Sequence, residues 1–268
     1  MEKLIDTVEN IISGNKELPF SIYSSIKEQK LLNVPIVKPL LIVVLEGKKY
    51  LGKNNDIVCH AGDFIFLSDS PAIDMRNIPK EKSYFALLIE FSPQDFSGLN
   101  NSTFNGRYYS IGKTTLMLEK CLQQFVESTL WAPKELWSSR KREILELLCH
   151  IGHKDILSML GSHKIGYKLH EIFCGNNFED MTVNDICNHL AMSESTLRRR
   201  LKSEGTSIQE VKDRARLGQG LHLLQTSKYS IGLIAEMCGY QSQSRFSERF
   251  KARFGLTPSE LKKTKMTG

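Results

Sequence analysis

Apolar residues are spaced in two different ways along this chain of 268 residues. Between residues 38 and 91 they come in short runs broken by turn residues. LLIVVLEG is apolar and β-branched and stops at Gly47, and KKYLG leads into the polar KNND. DIVCHAGDFIFLSDSP carries an Ala-Gly-Asp turn and ends at Pro71, and SYFALLIEF stops just before Pro93. Four or five strands at this spacing predict a small barrel or sandwich. From residue 114 the period lengthens to three or four. Leu118, Leu122, Phe125 and Thr129 form one stripe of TTLMLEKCLQQFVESTL. A second helix is expected from Pro133, a residue suited to a first turn, carrying Leu136, Ile144, Leu147, Leu148 and Ile151. Two adjacent amphipathic helices either cover the strands or pair two copies of the chain. The second use would place Leu118, Leu122, Phe125, Leu136, Ile144 and Leu148 at a dimer interface.

Further on, the pattern repeats itself. TVNDICNHLAMSESTLRRRLKSEGTS starts at Thr182 and SIGLIAEMCGYQSQSRFSERFKARFGLT at Ser230, 48 positions later. Val183, Ile186 and Leu190 correspond to Ile231, Ile234 and Cys238. Leu197 and Leu201 correspond to Phe246 and Phe250, and Gly205 to Gly255. Each copy reads as a capped short helix, a tight turn, a second capped helix and a glycine stop, the order of a helix-turn-helix. Outside the apolar frame of the first copy stand Glu194, Ser195, Thr196, Arg198, Arg199 and Lys202. In the second copy the outside set is Gln243, Ser244, Arg245, Glu248, Arg249 and Lys251, with Gln241 and Ser242 at its start. Arginine reads guanine, glutamine adenine and glutamate cytosine, while serine serves either. The same character on the same face of both copies predicts double-stranded DNA as the partner. Between the copies, residues 207–226 form a helix marked by Ile208, Val211, Ala215, Leu217, Leu221 and Leu224. At the usual rise it spans about 28 Å, close to the ~34 Å between successive major-groove readings on one face of a duplex. Gly218 and Gly220 weaken that helix by roughly 1 kcal/mol each, so a packing reason is expected there.

Charge sharpens this division. The net charge is +6, and 17 of the 36 Lys and Arg but only 11 of the 30 Asp and Glu follow Ser162. The remainder balances, so the whole excess lies in the repeat-bearing part, facing an anion. The six cysteines form no CxxC pair and read as core residues rather than disulfides. His150 and His153 stand at a metal-gripping spacing but lack a third ligand nearby, and His60 in CHAGDF is followed by Ala61 and Gly62. No metal, no cofactor and no catalytic group is therefore expected; a barrel enzyme with a helical targeting domain is the competing class. MEKLIDTVENIISG lacks the form of a signal peptide, and the longest apolar run, Leu40 to Leu45, is far short of the ~20 residues of a membrane span. A cytoplasmic protein without membrane contact is expected.

GYQSQSRFSERFKARFGLTPSELKK resembles the C-terminal signature of the AraC/XylS family of bacterial transcription regulators. LAMSESTLRRRLKSEGTSIQEVKDRARLGQGLHLLQ is similar to that family's first helix-turn-helix and linker helix, and the likeness spans about Gly166 to Lys263. The resemblance implies base-contacting places for Ser195, Arg198 and Arg199 in the first unit, and for Gln243, Ser244, Arg245 and Glu248 in the second. Glu248 stands where the family often has arginine, and the Gly-Gln-Gly of the linker is unusual. KPLLIVVLEGKKYLGKNNDIVCHAGDFIFLSDSPAID resembles the cupin-like sensing domain of one subgroup. The fold thus implied is α+β: a small cupin-like β-barrel with helices over residues 1–160, and an all-α domain with two helix-turn-helix units over 161–268. The implied function is promoter binding, more often activation through RNA polymerase than repression. The first domain would form a homodimer and hold a small-molecule effector or a regulatory protein such as an anti-activator.

Overall fold

The computed structural model describes every residue except 13–16, 69, 82, 100–107, 160–163, 177, 179–180 and 266–268. The N-terminal half runs from helix α1 (Glu2–Ile12) through β1 (Ser21–Ser25), β2 (Gln29–Ile36), β3 (Leu40–Glu46), β4 (Lys48–Leu51) and β5 (Ile57–His60). It continues with β6 (Asp63–Leu67), β7 (Ser70–Ile78), β8 (Tyr84–Glu90), β9 (Tyr109–Lys113), α2 (Leu116–Ser128) and α3 (Trp137–His150). Among the described residues the strands form a five-stranded sheet in the order β1-β8-β3-β6-β9 and a four-stranded sheet in the order β2-β7-β4-β5. Their pairings are antiparallel.

The apolar run of β3 does not alternate because both its faces are covered. Leu41, Val43 and Leu45 join a core with the helices, while Leu40, Ile42 and Val44 join a core with the second sheet. Helices α1, α2 and α3 therefore form a layer on one face of the five-stranded sheet. Leu118, Leu122, Phe125, Ile144 and Leu148 are 0–2% exposed in that layer. Of the six residues expected at a dimer interface, these five pack against the sheet, and Leu136 alone is exposed. Thr115 caps α2 as a side-chain acceptor for the Leu118 amide. Pro133 precedes a 3-10 turn, Lys134–Leu136, so α3 starts later than the proline implied.

The expected barrel is not closed; two separate sheets take its place. The physical reason lies in β2. Its pairing with β7 shifts register twice, between Leu31 and Val34 and again before Ile36, and Pro35 lacks an N–H for a ladder. The carbonyl of Asn33, in the left-handed region at φ 49°, accepts instead from Arg253 Nε at 3.0 Å. A helix thus covers an edge that further strand pairing would otherwise occupy.

Candidate nucleic-acid interface

Beyond the sheets the chain is helical: α4 (Ile165–Gly175), α5 (Val183–His189), α6 (Glu194–Ser203), α7 (Ile208–Thr226), α8 (Ile231–Met237), α9 (Gln243–Phe254) and α10 (Pro258–Thr264). The expected domain boundary at 160–161 lies outside the described residues. Helices α5–α6 and α8–α9 are the two repeat copies. Side-chain caps start each of them. Thr182 makes a capping box with Asp185, and the hydroxyls of Ser193, Ser230 and Ser242 accept from the amides of Thr196, Leu233 and Arg245. The turns match as well. Ala191 sits at φ 49° and Gly239 at φ 73°, at equivalent positions in the two copies.

The apolar frames are spent inward. Leu197 and Leu201 enter a core with Ile165, Leu169, Phe173, Ile186 and Val211. Phe246, Phe250 and Phe254 are 0% exposed, their rings inclined to one another along α9 with centroid distances of 5.5 and 4.5 Å. What remains outside is the expected polar set. Glu194, Ser195, Arg198, Arg199 and Lys202 on α6 are exposed, and so are Gln241, Ser242, Gln243, Ser244, Arg245, Glu248, Arg249 and Lys251 on and before α9. Thr196 is half-buried, its hydroxyl accepting from Ser193 at 3.0 Å, and Ser242 is engaged as the cap of α9. These two serve the helix starts first.

Two of the arginines already hold carboxylates. Arg198 Nε lies 2.7 Å from Glu194 one turn earlier, and Arg249 is paired with Asp213 on α7. Both arginines are more than half exposed, so each gives up its carboxylate partner at small cost. Nothing in the local pattern pointed to Asp213, which lies 36 residues before Arg249 and meets it only through the crossing of α7 and α9.

A family model described as a helix-turn-helix domain matches residues 186–264. The helical domain is of the AraC/XylS type. A urease operon transcriptional activator of Escherichia coli is 35% identical over 80 residues, covering 30% of this chain and 27% of that protein. The HTH-type transcriptional regulator YdeO of E. coli K12 is 37% identical over 81 residues, covering 30% of this chain and 32% of that one. The matched stretch thus spans less than a third of these relatives, which are named as transcription regulators. Over nearly the whole chain the fold is that of ToxT from Vibrio cholerae. The apo form of a single-residue ToxT variant superposes with a TM-score of 0.69 at 16% identity over 94% of this chain and 100% of that one. The wild-type form described as bound to an unsaturated fatty acid gives 0.66, also at 16%, over 92% and 95%.

The two AraC/XylS-type units are not held alike. The second shares one continuous core with the sheets: Leu217, Leu221 and Leu224 of α7 and the three phenylalanines of α9 join Leu31, Val34 and Ile36 of β2. Polar ties follow the same boundary. The Ile26 amide donates to the Thr264 carbonyl at 2.8 Å, and Asn33 Nδ2 to the Arg253 carbonyl at 3.3 Å. The first unit keeps a core of its own. Among the described residues no helix is long and apolar enough to cross a membrane.

Proposed function

We propose that the chain is a sequence-specific DNA-binding transcription regulator, an activator, that reads two stretches of promoter DNA with α6 and α9. One observation carries this reading: two capped helices on matching apolar frames each expose a row of base-reading and phosphate-holding side chains. The activator output is supported by the name of the urease operon relative. Residues 1–160 form the regulatory part and 161–268 the reading part. A small-molecule effector is the favoured control, since solved ToxT forms are described as holding an unsaturated fatty acid and a substituted butenoic acid. Homodimerisation would use the outward side of α2, where Leu116 and Met117 are 69% and 50% exposed, and not the buried stripe. RNA polymerase is the expected partner of the bound complex.

The test begins by selecting duplexes from a random library with the full chain. Selected sites should lose affinity tenfold or more between low and physiological salt, because neutralised phosphates release counterions. Arg198→Ala and Gln243→Ala should each cost about 1–3 kcal/mol and relax preference at one position. Selection that converges on no motif, or affinities unmoved by both changes, would sink the assignment.

A further inference from the structure

Arg249 stands one helical turn after Arg245 in the exposed row of α9, on the side turned towards α7. There it meets Asp213, whose Oδ2 accepts from a terminal nitrogen of the guanidinium. The other oxygen, Oδ1, accepts from Gln209 Nε2 at 3.1 Å, one turn earlier on α7. The carboxylate is thus fixed from two sides, and its side chain is 22% exposed against 52% for the arginine. Asp213 also stands where α7 passes from one unit to the other. Val211 and Ala215 enter the core of the first unit, and Leu217 and Leu221 the core shared by the second unit and the sheets. A fixed acid at the junction of the two units therefore holds a side chain of the candidate interface.

Such a placement works against affinity for DNA in general. A duplex attracts a protein according to the number of phosphates that its cations neutralise. Taken together, Asp213 and Arg249 carry no net charge. Parting them costs little, but an Arg249 that moves to a phosphate leaves a bare carboxylate beside a polyanion. A base edge makes a different demand. A guanidinium has five N–H donors in a planar fork, and Asp213 engages it through one terminal nitrogen. The donors left over suit the two acceptors of a guanine edge. Held by Asp213, the fork also has less rotamer freedom to lose when it meets that edge.

We propose that Asp213 is a positioning residue for DNA recognition: it presents Arg249 to a guanine edge and withholds it from phosphate. The proposal rests on the reading of the chain as a DNA-binding regulator. Within that reading it assigns Arg249 to the choice among sequences, not to affinity for any duplex.

Anisotropy titrations of the full chain against the selected duplex and a random-sequence duplex, each across a range of salt, test this. Asp213→Asn should bind the random duplex several-fold more tightly, with a salt slope steeper by about 0.9, the value of one more neutralised phosphate. Its preference for the selected duplex over the random one should fall about tenfold, at one guanine position of the motif. The double variant Asp213→Asn/Arg249→Gln again places no net charge there. It should return to the wild-type slope and random-duplex affinity while its preference stays low. Arg249→Lys keeps the charge but not the fork, so it should lower the preference and leave the random-duplex slope as in wild type. A pair that served only to hold α7 against α9 would instead weaken binding of both duplexes with no change of slope. That pattern, an unchanged preference in Asp213→Asn, or a steep slope retained by the double variant overturns the proposal. If selection yields a motif and these variants leave preference and slope alone, the positioning role falls by itself; if selection yields no motif, the regulator reading falls with it.

Discussion

At the scale of single residues, the two copies of the repeat solve one problem with different chemistry. Each turn needs a residue in the left-handed region; the second copy supplies Gly239 and the first Ala191. An L-residue there meets its own carbonyl, at roughly 1–2 kcal/mol, whereas glycine does not. Ala191→Gly should therefore raise stability by about 0.5–1 kcal/mol, the relief less the added chain entropy of glycine. Gly239→Ala should lower it by more than about 1 kcal/mol, since the strain is joined by a clash: a Cβ would lie 2.8 Å from the Phe178 carbonyl oxygen. Urea unfolding of both variants gives the comparison, and equal and small effects would contradict the account. The Ala-Met turn is the less legible of the two in sequence because nothing in alanine announces a positive φ.

At the scale of elements, the Gly-Gln-Gly of α7 separates into two unlike glycines. A Cβ on Gly220 would sit 2.7 Å from the Phe246 ring, so the close approach of α7 to α9 requires glycine there. A Cβ on Gly218 would meet Pro35 at 3.5 Å, an ordinary contact. Gly220→Ala should thus destabilise by roughly 1–3 kcal/mol through overpacking. Gly218→Ala should stabilise by up to about 1 kcal/mol through helix propensity. Thermal unfolding of the pair checks both signs. The packing reason expected of these glycines exists for one of them. Which one depends on where α9 crosses, and that crossing is not written in the spacing of α7.

At the scale of the whole molecule, one polar chain crosses from the sheets into the helical domain. Lys49 Nζ donates to Asn77 at 2.7 Å, Asn77 to Gln29 at 3.1 Å, and Gln29 is joined to Gln225 of α7 at 3.0 Å and to Thr264 of α10 at 2.8 Å. Lys49 is 3% exposed, and burial pushes its ammonium down from the usual 10.5 to about 8. A folded-state value below the unfolded one means that the unfolded chain binds more protons between the two. The contribution of Lys49 to stability therefore rises as pH increases from about 8 towards 10.5, and the charged form is penalised below that window. Buried cysteine thiols pushed up to about 11, such as Cys59 and Cys121, act in the opposite direction. The test is thus the difference between wild type and Lys49→Met across pH 7–10 in chemical denaturation. Relative to the variant, wild type should gain stability with pH by on the order of 1 kcal/mol per unit. A flat difference would show that Lys49 titrates as in water.

What the sequence determined by itself was local. The spacing of Leu197 and Leu201, and of Phe246, Phe250 and Phe254, specified which face of each helix is buried. Most polar side chains near the helix starts, the caps apart, were thereby left exposed. Serine and threonine caps specified where those helices begin, and β3 announced itself because a strand covered on both faces needs no alternation. Strands β1, β2, β7 and β9 were not legible, since SPAIDMRNI and QKLLNVPI mix polar residues, a proline and bulges, and are stabilised by neighbours distant in the chain. Tertiary structure alone decided the rest. It spent the apolar stripe of α2 and α3 on the sheet, left the sheets unclosed where a helix covers β2, and joined one helix-turn-helix unit but not the other to their core. Those outcomes depend on which long-range contacts bury the most apolar surface, a quantity that no local period records.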